Sequence, residues 1–393
     1  SKALRLQAGY QADLSKENTP QESFVDANSY AGYNPVEDQR YYNRFIYKNN
    51  IHAFYTTLSY NAGKFGLMAG LRGEYWKVNT ESHSWAQEHD ARLRDKPFKK
   101  DYFQLFPSIF MSYQLTKSDQ LQLNYTRRLR RPWGGELNSF RNTSDATVIS
   151  SGNPELTPEY SNSFSLNYLR TWREHSLLVS AYCRPTTDVM QRITYRSPAD
   201  GLLYQTSFNV AKSTSTGLEL TARNRLFRIL NLSTSANFYY YKLNGFAFDI
   251  DGQTVTGEGN SNFTWNARMQ ASFMLPYDMS VQLTGNYNSR QSLAQGYRSP
   301  NGSVDFGFRK SFLNKQLVFS VNCRDLFNTR KRKTYTHSDT FTRNQENWRI
   351  GRTVRLTLTW NFGNAKKNKK KDSQMEMDDD FGSQPYGNSG GGN

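Results

Sequence analysis

The sequence predicts an all-β protein, a transmembrane antiparallel β-barrel, and three observations lead there. Apolar and polar residues alternate one by one along run after run, the signature of strands with two unlike faces. The connectors are unequal, with tight turns alternating with longer polar loops or strand extensions. The composition is also wrong for a soluble domain of 393 residues, being 36% hydrophobic yet 15% aromatic, with 25 Tyr, 25 Phe and 7 Trp. No apolar stretch approaches the ~20 residues of a membrane helix. A barrel's alternating signal averages away in a hydropathy window, so the strongly polar mean does not argue against a membrane.

Taken in order, Ala3–Leu14 sets Leu4, Leu6, Ala8 and Tyr10 against Arg5, Gln7 and Gly9. Ser15–Arg40 reads as a long polar loop, with turn formers at Asn18-Thr19-Pro20 and Asn34-Pro35. Tyr41–Tyr60 is a longer and noisier strand, in phase only in its second half at Phe54, Leu58 and Tyr60. Phe65–Trp76, Asp101–Leu115 and Gln120–Arg131 alternate more cleanly, and a loop of about 28 residues separates the last from Tyr160–Trp172. Ser176–Arg196 and Leu202–Leu226 are long strands, followed by Ile229–Lys242. Trp265–Leu275, Met279–Asn288, Ser303–Phe312, Gln316–His337 and Gly351–Phe362 complete about fourteen strands. Within Gln316–His337, Asp325-Leu326-Phe327-Asn328 reads as a kink or bulge that bends the strand. Residues 1–363 form the barrel part, and 364–393 form a charged, then Gly/Ser-rich, disordered tail.

Short turns follow Tyr60, Leu115, Trp172, Leu226, Leu275 and Phe312, all at one end of the sheet. A soluble sandwich has no reason to keep them there, whereas an outer-membrane barrel does, with short periplasmic turns and longer extracellular loops. Lipid also forbids unsatisfied sheet edges. The polar phase then lines a wet lumen and the apolar phase faces lipid.

The net charge of +16 raises nucleic acid or acidic lipid as partners. Nucleic acid is set aside, because the basic run Lys366–Lys371 is answered by Asp372, Glu376 and Asp378–Asp380, and other arginines sit singly on polar strand faces. Cys183 and Cys323 are far apart, each on the apolar phase of its strand, and read as small buried hydrophobes.

Several ordered motifs resemble the barrel of TonB-dependent outer-membrane receptors, and most nearly the Bacteroidota-type outer-membrane β-barrel family. They include Leu71-Arg72-Gly73-Glu74, Leu105-Phe106-Pro107-Ser108, Tyr125-Thr126-Arg127-Arg128, Arg131-Pro132 and Leu137-Asn138-Ser139-Phe140. The run Gly152-Asn153-Pro154-Glu155-Leu156-Thr157-Pro158-Glu159, Asp325-Leu326-Phe327-Asn328 and the closing Trp360-Asn361-Phe362-Gly363 extend the match over roughly residues 1–363. The resemblance implies the C-terminal part of a barrel of about 22 strands, the first eight or so and the plug lying upstream. It also implies partners, namely outer-membrane lipid and lipopolysaccharide, the TonB complex acting through that plug, and a surface lipoprotein.

No catalytic constellation, cofactor motif or metal-ligand spacing emerges. His52, His83, His89, His175 and His337 fall mostly in loops and turns. Gly252–Gly259 lacks the Lys-Ser/Thr of a phosphate loop. Arg127, Arg128, Arg130, Arg131 and Trp133 make the one dense basic and aromatic cluster. Two readings stay open for it: a grip on a ligand's carboxylate or phosphate, or on lipopolysaccharide phosphates, and ion pairs with luminal acids that shape the loop. The function expected is a receptor-transporter that binds a scarce solute at its extracellular loops and passes it to the periplasm without catalysis. The alternative is a structural or adhesive barrel without energy coupling.

Overall fold

The computed structural model describes residues 4–25, 35–143, 145, 147–250, 252–348 and 350–362. The tail assigned to 364–393 lies outside the described residues.

Fourteen strands follow one another in chain order through one sheet, each antiparallel to the next. They begin with β1 (Leu4–Gln21), β2 (Asn43–Ala62), β3 (Phe65–His83), β4 (Phe98–Gln114) and β5 (Asp119–Arg130). After the long connection come β6 (Glu159–Trp172), β7 (His175–Arg196), β8 (Leu203–Leu226), β9 (Leu230–Leu243) and β10 (Asn260–Leu275). β11 (Met279–Asn288), β12 (Asn301–Phe312), β13 (Leu317–Arg324) and β14 (Thr353–Trp360) finish the wall. Each corresponds to one alternating run of the sequence.

The register explains the alternation. Leu6 stands opposite Leu58 and Tyr10 opposite Phe54, so cross-strand partners share a face. That face is an exposed apolar band, with Leu6, Phe54, Phe103, Leu166 and Leu358 all open. A contiguous apolar surface of this extent needs lipid against it. Cys323 is buried and Cys183 half-buried, both as free thiols.

The six tight turns lie together at one end. A two-residue hairpin must twist with its strands, which demands positive φ at its centre. Gly63 supplies it at φ 56°, but Phe227 and Arg228 (52° and 60°) and Tyr277 and Asp278 (62° and 53°) adopt it as ordinary residues. Phe227 and Tyr277 are 87% and 80% exposed, an arrangement suited to aromatic anchors at a membrane surface.

At the opposite end the strands run on past the ~9–11 residues that cross a bilayer. β7 and β8 have 22 and 24 residues. Four stretches read as loop or strand extension instead contain paired strands: Phe24–Val25 with Val36–Glu37, Phe246–Ile250 with Gln253–Gly257, Gln291–Leu293 with Gly296–Arg298, and Arg332–Ser338 with Phe341–Asn347. The last two join as one four-stranded cap sheet. β1 likewise continues through Pro20, which a strand can hold where the ladder ends on one side.

The Asp325 motif does more than bend a strand: β13 ends at Arg324. Asp325, at φ 52° and 1% exposed, accepts from the backbone N–H groups of Thr329 (2.9 Å) and Arg330 (3.0 Å). Its own N–H donates to Asp305 at 2.8 Å, and Asp305 pairs with Arg330 at 3.0 Å. A carboxylate receiving two backbone donors makes a turn, and the chain leaves the wall there to build the cap.

Candidate functional site

The connection between β5 and β6 does not hang free. It folds onto the long-loop ends of β2, β3 and β7, where Leu137 and Leu156 join Phe45, Tyr47, Trp76, Val78 and Met190 in one buried cluster. Ile51 and Tyr102 pack against its edge, and Tyr102 stacks on Trp76 at 4.8 Å. In β2 the apolar phase therefore switches faces. Phe54 and Leu58 point to the band, while Phe45, Tyr47 and Ile51 occupy the opposite phase. The expectation that the polar phase lines a wet lumen throughout is corrected here: the loop needs an apolar floor, and the inward phase of β2 and β3 supplies it. The noise in the Tyr41–Tyr60 pattern is the trace of that floor.

Gly152, Asn153, Thr157 and Glu159 each help to seat the loop. Gly152 donates to the Asn138 carbonyl at 2.7 Å, and a Cβ there would lie 2.6 Å from the carbonyl oxygens of Asn138 and Glu136. Asn153 donates to the Ser207 carbonyl at 3.1 Å. Thr157 and Asn209 exchange two bonds of 2.9 Å, and Glu159 accepts from the N–H of Met190 at 2.6 Å. Val148–Ser150 adds a short parallel pairing to Leu203–Gln205.

The basic cluster divides. Arg130 pairs with Glu136 at 3.0 Å and lies 3.4 Å from Glu159, its partner across the β5–β6 ladder. Arg131 pairs with Glu74, which also holds Arg72 at 2.6 Å, and its guanidinium lies 5.2 Å from the centre of the Trp76 ring. Arg127 sits over the Tyr160 ring at 5.6 Å. Arg128 is half-buried on the strand between them. Trp133 is half-exposed and lies across Gly135, at the start of α1 (Gly134–Leu137). The sequence allows for luminal acids beside the arginines but does not identify Glu74, Glu136 and Glu159 as those partners, although Glu74 and Glu159 stand in its motifs. Glu136 stands three residues after Trp133, the capping-box spacing, and Glu159 becomes visible only once the strand register is counted.

The histidines have local partners, and three of them, His52, His83 and His175, lie in wall strands rather than loops. His52 bonds Tyr10 at 2.7 Å, and His83 lies 3.1 Å from Glu88. Among the described residues, no group of three His, Cys, Asp or Glu side chains is placed to hold a metal ion.

An antiparallel wall with an exposed apolar band, tight turns at one end and a folded cap at the other is the architecture of an outer-membrane β-barrel protein. The chain belongs to the outer membrane protein beta-barrel family, whose model matches residues 1–360, and its place is the outer membrane. No curated protein matches it by sequence. Its fold is similar to that of the ferric yersiniabactin uptake receptor FyuA from Yersinia pestis, with a TM-score of 0.60 at 16% identity over 92% of this chain and 52% of that one. The siderophore receptor PiuA from Acinetobacter baumannii is also similar, with a TM-score of 0.63 at 14% identity over 92% of this chain and 54% of that one. The chain spans about half the length of these receptors.

Proposed function

We propose that the chain is the C-terminal part of the wall of a TonB-dependent importer. On this reading residues 1–363 are barrel and 364–393 a periplasmic tail. The tight turns face the periplasm, and the cap and the β5–β6 loop face the medium. A scarce solute binds at the cap and passes through the barrel when an inner-membrane complex acts on a plug. The wall contributes shape and binding groups and no bond-making chemistry. Lipid and lipopolysaccharide surround it, and a surface lipoprotein is a fitting lid.

The observation that carries this reading is the asymmetry of the two ends. A barrel with a purely structural role needs turns at both ends. Here one end invests a 28-residue loop, an apolar floor and a four-stranded cap in shaping the mouth. The fold shared with uptake receptors supports the same reading. Within the basic cluster, Arg128 and Trp133 are the groups we assign to solute contact, Arg127 to lipopolysaccharide phosphates, and Arg130 and Arg131 to holding the loop.

A strain lacking the gene, grown with limiting iron, cobalamin or glycan, tests this. Impaired growth on one source, restored by the gene and abolished again by a protonophore, is the expected outcome. Unimpaired growth on every source, with loss of surface attachment instead, would establish the structural or adhesive alternative.

A further inference from the structure

The inner face of the cap sheet holds an arrangement that no packing requirement explains. Arg298 stands opposite Thr334 across the ladder, and Arg332 lies two residues from Thr334 on the same strand, so both arginines are on one face. Arg343 is on that face too, opposite Thr336, and reaches Asp145 of the β5–β6 loop at 2.6 Å. The face therefore looks toward that loop. A second tie fixes the cap: the Gln295 side chain accepts from the Thr194 N–H at 2.8 Å and donates to the Thr194 carbonyl at 3.0 Å.

Arg343 has its carboxylate; Arg298 has none. Its hydrogen bond goes to the neutral Gln291, at 3.2 Å, and its Nε is buried without any partner. Among the described residues no acid stands within ion-pair distance of Arg298 or Arg332. Burial pushes the Arg298 guanidinium below its usual range, and the like charge of Arg332 adds to the shift. A half-buried guanidinium beside a second one, with no counter-charge among the described residues, carries a desolvation cost. The cost falls when an anion arrives, because a guanidinium's fork matches the two oxygens of a carboxylate or phosphate.

We propose that Arg298 and Arg332 form an oxyanion site on the underside of the cap, with Gln291 and Thr334 flanking it, and that the imported solute carries a carboxylate or phosphate read there. This rests on the import function proposed above and names its substrate class. The opposite face of the same sheet serves as an internal control. There Lys333 already pairs with Glu346 at 3.5 Å, and Tyr297 and Tyr335 stack at 5.2 Å.

The test is calorimetric titration of the full-length protein in detergent with citrate and, separately, inorganic phosphate. At least one probe should bind, and which one binds distinguishes carboxylate from phosphate recognition. Arg298→Gln and Arg332→Gln should each weaken that binding at least about tenfold, Arg298→Lys less, and Lys333→Gln not at all. Arg332 is exposed and has no ion-pair partner to lose, so its variant reports on binding even where Arg298→Gln disturbs folding. Absence of binding by both probes, or equal affinity in Arg332→Gln and Lys333→Gln, overturns the site. Uptake that persists without probe binding leaves the import reading standing and removes this one. Binding without any uptake does the reverse.

Discussion

Arg130 shows what the basic cluster does for the loop. Its guanidinium is the counter-charge for Glu136 and Glu159, both largely buried, with 7% and 15% of their side-chain surface exposed. Removing one partner of a buried pair leaves a charge stranded, at roughly 3–5 kcal/mol, which exceeds what the pair contributes over an apolar replacement. Arg130→Ala should therefore speed hydrogen exchange across 134–158 sharply. The double change Arg130→Met with Glu136→Leu should return part of the protection. If the single change leaves exchange unaltered, the ion network is not the loop's anchor. Gly152 makes the same case without charge. A methyl group there meets backbone oxygens at 2.6 Å, and backbone cannot rotate aside as a side chain can. Gly152→Ala should destabilise the loop by about 1–3 kcal/mol. It should open the segment to protease while the wall strands keep their exchange protection.

The β5–β6 loop and the cap are separate elements joined by few bonds, so their docking can be weakened selectively. Asp145 is held below the usual carboxylate range by its hydrogen bonds to Thr147, with the Arg343 guanidinium adding to the effect. A depressed folded-state value means the interaction contributes above the unfolded value of about 3.9 and is lost as pH falls through the folded one. Docking should therefore persist at neutral pH and fail only below about pH 4. Asp145→Asn should show at neutral pH the exchange that the unmodified protein shows in acid, and the two should converge there. A difference that persists unchanged at low pH would assign the docking to other groups. The same elements show where the sequence was legible. Alternation identifies a strand and its two phases, so all fourteen wall strands could be read, and the shared end of the six turns with them. It does not say what covers a phase. Phe45 and Tyr47 looked like noise because their partner, Leu137, lies some 90 residues away in a loop with no period of its own. Arg130 and Arg131 were visible as a cluster, but their carboxylates depend on register and on a loop path. Arg298 and Arg332 were harder still, since what marks them is an absent partner, and absence has no motif.

The fourteen strands leave two edges, β1 and β14, neither paired to a further strand among the described residues. Unpaired backbone groups in hydrocarbon cost several kcal/mol each, so a wall in lipid must close. Two closures are open to it. β1 starts and β14 ends at the tight-turn end, so the two are antiparallel and could join directly into a fourteen-stranded barrel. Alternatively, further strands intervene, as the double length of the similar receptors suggests. Lengths favour the second closure: β14 has 8 residues and β1 has 18, so direct pairing would leave much of β1 open. The 393-residue chain refolded alone in detergent should therefore remain protease-sensitive and migrate identically with and without heating. A product carrying further strands between β14 and β1 should run as a compact form that shifts on boiling. A compact, heat-modifiable monomer from the 393 residues alone would instead show that β1 and β14 close on each other, and a wall of that girth would enclose a narrower passage than the receptors it resembles.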